Sequence, residues 1–592
     1  MKLGLALPLA ALLVVPPIVA QPAPAPAGYT AEQTKAILDK TQEIRLAPDL
    51  SRLGAGERAA VARLLEVGRL FQELYEEQRY RNMPRVRRLF AQAPAPLRPA
   101  YATLYRLFQG PIATNLENRR EPFLAVEDAP PGKNVYPWDL TRAELDAWFA
   151  AHPETRAELS DPRSVVRRAE AASLAADLAT LRAHPVLDTL HPGLRARLEG
   201  LARRADRSRL YAVPYSVAYA DRLVPAFGLL NEAADLMQAS DPEFAGYLRN
   251  RARDLLSDDY ESGDAAWITG RFRHLNAQIG AYETYDDELL GTRAFHSLSL
   301  LLVREEETAA IRRGMQGLQA IEDALPYARH KKVREDIPVS AYDVIADFGQ
   351  SRGGNTASIL PNDPLHARRY GRTILLRANI MRSPEIFAGG NAAWRAAVAP
   401  EFAADLTADA NFHRTLWHEV GHYLGVDRTA DGRDLDAALG ANGNLLEEMK
   451  ADLVSLYAVP RLQASGYYTE AQARAVYASG ILRVLQRNRP RRDQPYNTMQ
   501  LMQWNWFLDR GVLAYDPATG HMRIDYAKYP DAVRDLLAEV LEVQAAGDRD
   551  RAEAFVKRWT AWDSTLHEPV SQAIRAALPY RYSLFRYAAL GE

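Results

Sequence analysis

The chain holds 592 residues, 47% of them hydrophobic and 25% charged, with a formal net charge of −2. That length exceeds a single ordinary core, so two or more lobes are expected, and so even a charge balance gives no reason to expect a nucleic-acid partner. With no cysteine, disulfides, a thiol nucleophile, cysteine-ligated zinc and a lipid-modified N-terminal cysteine are all excluded.

Residues 1–20, MKLGLALPLAALLVVPPIVA, join an early cation, Lys2, to an apolar run that ends in small residues. They read as a secretory signal peptide cleaved after Ala20, which directs the protein to the periplasm or outside the cell. A Pro/Ala linker follows at 21–30, and no later stretch is apolar enough for long enough to insert stably in a bilayer. Residues 59–78, AAVARLLEVGRLFQELYEEQ, carry apolar residues at three- and four-residue spacing and predict a core helix. PPGKNVYPWDLTRAEL at 130–145 begins as a Pro/Gly loop and turns helical after Thr141, an N-cap. Helix dominates again from 163 to 255, broken at YAVPYS, 211–216, where Pro214 forces an extended turn.

Two segments have a different texture and are candidates for lining a cleft. In AQIGAYETYDDELLG, 277–291, Gly280 and Gly291 bracket Tyr282, Glu283 and Tyr285 ahead of a strand-like FHSLSLLLV at 295–303. GQSRGGNTASILPND, 349–363, is a Gly-rich loop leading to Asn362 and then to a strand at 371–380. On pattern alone, a surface turn beside a buried strand is the better explanation of each.

The chemistry concentrates at 413–425, HRTLWHEVGHYLG. Phe412, Leu416, Val420 and Leu424 make an apolar stripe, so the segment is helical, with Gly425 as a stop. One turn apart on one face, His418 and His422 can reach a single metal, and Glu419 stands beside it as a general base for a bound water. A hydrolytic zinc usually takes three side chains and leaves the fourth position to water. The third is expected in NGNLLEEMKADLVSLY, 442–457, a second amphipathic helix with Asn444 as N-cap and Glu447 as its capping-box partner. Glu447 and Glu448 lie about 100° apart around the axis, so one can face the metal while the other caps or orients. Glu448 is taken as the ligand, and Asp452, one turn on, is placed to accept a ring N–H from a ligating histidine. The remainder is mainly helical, notably at 498–511 and 529–548.

Taken together, PPGKNVYP, YAVPYS, IGAYETYDDELLG, ILPND, HEVGH, LEEMKAD and IDYAKYPDAVRDLLAEVLEVQAAGD keep an order that resembles the dipeptidyl peptidase III family of zinc peptidases, most closely its bacterial and plant branch. The resemblance implies a predominantly helical α+β fold of two lobes flanking a wide cleft. A substrate-binding lobe, 31–303 with 340–390, would contain a small β-barrel plus helices, and a helical lobe, 304–339 with 391–592, would carry one zinc ion. It also implies that His418, His422 and Glu448 hold the metal, with Glu447 and Asp452 behind the histidines and Glu419 as base. Glu283 and Asn362 would hold the substrate's terminal ammonium, and Tyr285 would sit over the scissile carbonyl.

Three departures accompany the likeness. HEVGH is one residue shorter than the animal and yeast form, Ile359 stands where a second asparagine is expected, and Tyr496 occupies the place of a transition-state histidine. The expected activity is release of dipeptides from the free N-terminus of peptides. The alternatives are an endopeptidase or other amide hydrolase on the same fold, and a peptide-binding protein that has lost the reaction.

Overall fold

The computed structural model describes residues 28–334, 337–486 and 495–592, so the expected signal peptide and most of the linker lie outside the described residues. Among the described residues no helix is long and apolar enough to cross a membrane.

The first lobe is organised by the helix Ala55–Arg79, which buries Ala60, Leu64, Val67, Phe71 and Leu74 at three- and four-residue spacing. It packs on a five-stranded mixed sheet made of β1 (Leu275–Glu283), β2 (Phe295–Val303), β3 (Val339–Gly349), β4 (Ala357–Leu360) and β5 (Thr373–Arg377), in the order β1-β2-β3-β5-β4. Only the β3–β5 pair is parallel. The sheet curls into a half-barrel whose two edges, β1 and β4, remain unpaired with each other, so the expected small barrel is an open one. Its strands are buried almost throughout. Gly280 in β1 has φ +139°, and a Cβ there would stand 2.6 Å from the ring of Tyr260, so only glycine fits. Inside the sheet the fully buried guanidinium of Arg377 donates to Ser358, Gln278 and Ser299 at 3.0–3.1 Å.

The second lobe is a helical core around Trp394, Trp417 and Trp504, and it includes the helices Ala410–Gly421, Gly443–Tyr457, Glu470–Leu485, Pro495–Asp509 and Tyr529–Ala546. Helices Glu305–Gly314 and Leu318–Glu322 join it through Ile311, Leu318 and Ile321. Strand β5 is a wall common to both lobes: Leu375 faces the first core, while Ile374 and Leu376 face the second. The C-terminal strand Tyr582–Tyr587 pairs in parallel with Thr41–Leu46, placing Phe585 and Tyr587 in the first core. The last residues therefore pack with the first lobe, where the sequence division carried the helical lobe through 592.

Thr141 caps the helix Arg142–Ala151 as expected, its hydroxyl accepting from Glu144 N at 3.2 Å. Asn444 is not an N-cap. The helix starts at Gly443, and Asn442 before it makes no side-chain cap, so Glu447 is free for another role.

Candidate metal centre

Two helices build the centre, and a glycine sets their spacing. Helix Ala410–Gly421 packs against Gly443–Tyr457 so closely that a Cβ on Gly421 would lie 2.9 Å from the carbonyl oxygen of Ala451. His418 occupies the last turn of the first helix, and His422 follows directly on its end.

The ring Nδ1 of each histidine is held by a carboxylate from the second helix. Asp452 Oδ1 lies 2.7 Å from His418 Nδ1, and Glu447 Oε1 lies 3.0 Å from His422 Nδ1. Both Nε2 atoms are thereby turned toward Glu448, whose Oε2 is 3.3 Å from His418 Nε2 and 3.9 Å from His422 Nε2. That oxygen is buried and makes no hydrogen bond. Three donors converge without bonding to one another, as ligands do around a cation. Around a tetrahedral zinc with bonds of about 2.0–2.1 Å, neighbouring donors stand about 3.4 Å apart, close to the spacings found. The donor set therefore fits zinc, and His418, His422 and Glu448 would hold it.

The carboxylates behind the histidines are themselves clamped. Asp452 receives the buried Arg414 at 2.8 Å on Oδ1 and Arg483 at 3.1 Å on Oδ2. Glu447 receives the buried Lys450 Nζ at 2.8 Å. Burial alone would raise both acids, but the charges win: Arg483, His418 and Arg414 hold Asp452 well below the carboxylate range, and Lys450 with His422 hold Glu447 at about 2. In the same contest burial disfavours the His418 cation, while Asp452, Glu448 and Glu419 outweigh it and bring that imidazole to about 9 in the metal-free protein. Arg414, Arg483 and Lys450 were not anticipated from sequence. Two of them sit one turn from a site residue, Arg414 before His418 and Lys450 after Glu447, and that spacing is the signal that could have found them.

Glu419 is half-buried beside His418 and takes part in no hydrogen bond or ion pair among the described residues, so its carboxylate is free to work on a proton. Tyr496, near the start of helix Pro495–Asp509, has Glu448 as a charged neighbour and lies 5.3 Å under the guanidinium of Arg483. Tyr285 comes from the other lobe. It is 82% exposed, with Glu283, Glu448 and Glu419 close enough for their charges to bear on it, and its hydroxyl is a donor at neutral pH. Glu283 ends β1, with burial raising its carboxyl. Asn362 is exposed after β4 and donates its amide N–H to Tyr282 O at 2.8 Å, which leaves its side-chain oxygen available. Ile359 of β4 packs against the helical core.

A second His/Asp/Glu group, Asp259, Glu261 and His366, has two of its members committed elsewhere. Glu261 accepts from Arg369 and Tyr370, and His366 bonds to Asp264 at 2.8 Å.

Fold and donor set together define a two-lobed α+β protein with a candidate His-His-Glu metal centre at the junction of its lobes. No family model matches the chain. Nudix hydrolase 3 from Arabidopsis thaliana is 25% identical over 458 residues, covering 76% of this chain and 57% of that protein, so the chain spans little more than half the length of this curated relative. Among solved structures, DPP III from Caldithrix abyssi matches with a TM-score of 0.79 and 23% identity over 94% of this chain and 99% of that one. Dipeptidyl-peptidase III from Corallococcus sp. strain EGB matches with a TM-score of 0.74 and 23% identity over 95% and 98%. The chain has the dipeptidyl peptidase III fold along nearly its whole length.

Proposed function

We propose that the protein is a zinc-dependent peptidase that cleaves peptides near a free N-terminus and releases dipeptides. The observation that carries the reading is the convergence of His418, His422 and Glu448 around a buried oxygen with no hydrogen bond, with the unengaged carboxylate of Glu419 alongside. Bound there, zinc supplies a Lewis acid that polarises the scissile carbonyl and brings a water pKa down to about 7.

The chain's own residues do the rest. Glu419 takes the proton of the attacking water and delivers it to the departing amine nitrogen. Tyr285 and Tyr496, both phenols at neutral pH, donate O–H to the carbonyl oxygen as negative charge develops on it. At the other end of the substrate, the Glu283 carboxylate and the free side-chain oxygen of Asn362 accept from the terminal ammonium. Anchoring the amine at a fixed distance from the metal sets the point of cleavage. We place the protein in the periplasm or outside the cell on the character of residues 1–20.

One observation favours a broader specificity: Ile359 gives the β4 edge an apolar side chain where a second amide would serve the ammonium. Comparing hydrolysis of a free-amine dipeptidyl amide with its N-acetylated form tests the point. The exopeptidase reading expects the acetylated form to be cut far more slowly, and equal rates would make the protein an endopeptidase or a general amide hydrolase. Zinc content with no cleavage across a varied peptide library would leave a peptide-binding protein.

A further inference from the structure

A cavity of about 410 Å³ opens between three helices of the first lobe, Ala55–Arg79, Met83–Gln92 and Arg98–Phe108, and none of its walls belongs to the metal centre. Its volume is that of a site for a small organic molecule. Part of the lining is apolar, from Val86, Phe90, Ala102 and Tyr105, the two rings meeting edge to face with centroids 6.2 Å apart.

Glu76 lies against these rings. Its carboxylate accepts from Tyr105 Oη at 2.6 Å and from Gln72 Nε2 at 2.9 Å, both neutral donors, and it forms no ion pair with any described residue. Burial disfavours its charge and raises its pKa. The guanidinium of Arg87 is near enough to offset part of this without forming an ion pair. A sequestered carboxylate whose hydrogen-bond donors are all neutral is incompletely compensated, and an ammonium in direct contact is the partner that completes it. The cavity also presents cations. Arg87 is exposed and in no ion pair among the described residues. Arg106 touches Glu592 only loosely, at 3.4 Å, because that carboxylate is already held by Arg352 at 2.9 Å.

A fixed anion and an unpaired cation around an aromatic-walled space are the complement of a zwitterion with an apolar body. We propose that this cavity binds a free amino acid or a dipeptide, with the ligand ammonium on Glu76, its carboxylate on Arg87 and its side chain against Phe90 and Tyr105. The assignment does not depend on the peptidase reading, because neither Glu76 nor Arg87 belongs to the metal centre or to the amine end of the cleft.

Isothermal titration of the full chain with the dipeptide Ala-Phe tests it. The wild type should show saturable binding, and E76Q and R87A should each weaken it tenfold or more, the loss expected for a hydrogen bond between charged groups. N-acetyl-Ala-Phe should bind the wild type as weakly as Ala-Phe binds E76Q. Gln at 76 can keep its oxygen as acceptor for Gln72 and donate its amide N–H to the Tyr105 hydroxyl, and Arg87 lies on the surface, so neither change should prevent folding. Both variants should keep wild-type metal content and peptide hydrolysis, which separates this site from the cleft, where E283Q and not E76Q should alter binding. Unchanged Ala-Phe affinity in both E76Q and R87A, or no saturable binding of the wild type up to about 10 mM, overturns the proposal.

Discussion

The candidate metal centre and the proposed amine end of the cleft are held by very different numbers of contacts. Around the metal site each histidine has a support, and each support has its own: His418 rests on Asp452, which rests on Arg414 and Arg483, and His422 rests on Glu447, which rests on Lys450. At the amine end, Tyr285 is mostly in solvent, Asn362 has one hydrogen bond to hold it, and Ile359 offers no polar atom. The first arrangement comes from two helices in contact within one core, and the second from the rims of an open half-barrel. On the proposed function, chemistry that needs sub-ångström placement would be lodged in one lobe, while the part that must admit substrates of different shape would be left adjustable on the other.

The largest expected effect breaks the metal end without touching its ligands. E419Q removes the proton acceptor and keeps the shape, so turnover should fall by about 10²–10⁴-fold with zinc content unchanged by elemental analysis. Full activity in a zinc-loaded E419Q protein rules out the proposed role of Glu419.

Next come the supports. D452N leaves two guanidinium groups facing a neutral amide in a buried site, where loss of one partner of an ion pair costs about 3–5 kcal/mol. Its thermal midpoint and its zinc affinity should both fall. E447Q strands only Lys450, so its stability loss should be smaller, while zinc affinity still falls by about 10–100-fold through His422. Equal stability losses in the two variants would show that the clamp on Asp452 is no stronger than that on Glu447.

The protonation of His418 sharpens the contrast further. Its pKa in the metal-free protein, about 9, lies above the ordinary value of 6.5, so the proton stabilises the metal-free fold fully below pH 6.5, and that contribution is lost as pH rises through 9. Zinc needs the neutral ring and must displace the proton. Between pH 6.5 and 9 the metal-free protein should become less stable as zinc affinity rises by about tenfold per unit, and chelator competition with thermal melts at each pH measures both slopes. The same sign for both slopes would exclude this coupling.

The two ends also differed in how far the sequence revealed them. HEVGH and LEEMKAD lie on or at the end of helices, where a spacing of three or four residues converts directly into a shared face, so the three converging donors and Asp452 could be located from spacing, whereas Glu447 read from spacing as a capping-box partner and its place behind a histidine came only with the family resemblance. Strand β1 could not, because Leu275–Glu283 is buried on both faces and shows no alternation, while Gly280 reads as a turn until Tyr260 is seen against it. Short β4 hid inside a Gly-rich stretch for a related reason: four residues carry no period, and its pairing with β5 is a long-range fact. The return of Tyr582–Tyr587 to the first lobe is set by a partner strand more than 500 residues earlier, beyond the reach of any local pattern.

The smallest effects belong to the amine end, and they test whether its looseness is real. E283Q replaces a charge-assisted contact to the substrate ammonium by a neutral one, which corresponds to about 1–2 kcal/mol and should appear chiefly as a five- to thirtyfold rise in KM for free-amine substrates. The N-acetylated substrate has no ammonium to lose and should be indifferent to the change. Introducing the missing amide with I359N works in the opposite direction. It gives the β4 edge a second oxygen for the ammonium, and because Ile359 is only partly buried the cost to the helical core is modest. KM for free-amine substrates should then fall a fewfold while kcat holds, since the new contact is made in the ground state and the transition state alike. If I359N instead lowers kcat and leaves KM unmoved, position 359 is part of the wall that supports the zinc helix, and the amine end is more rigid than its exposure suggests.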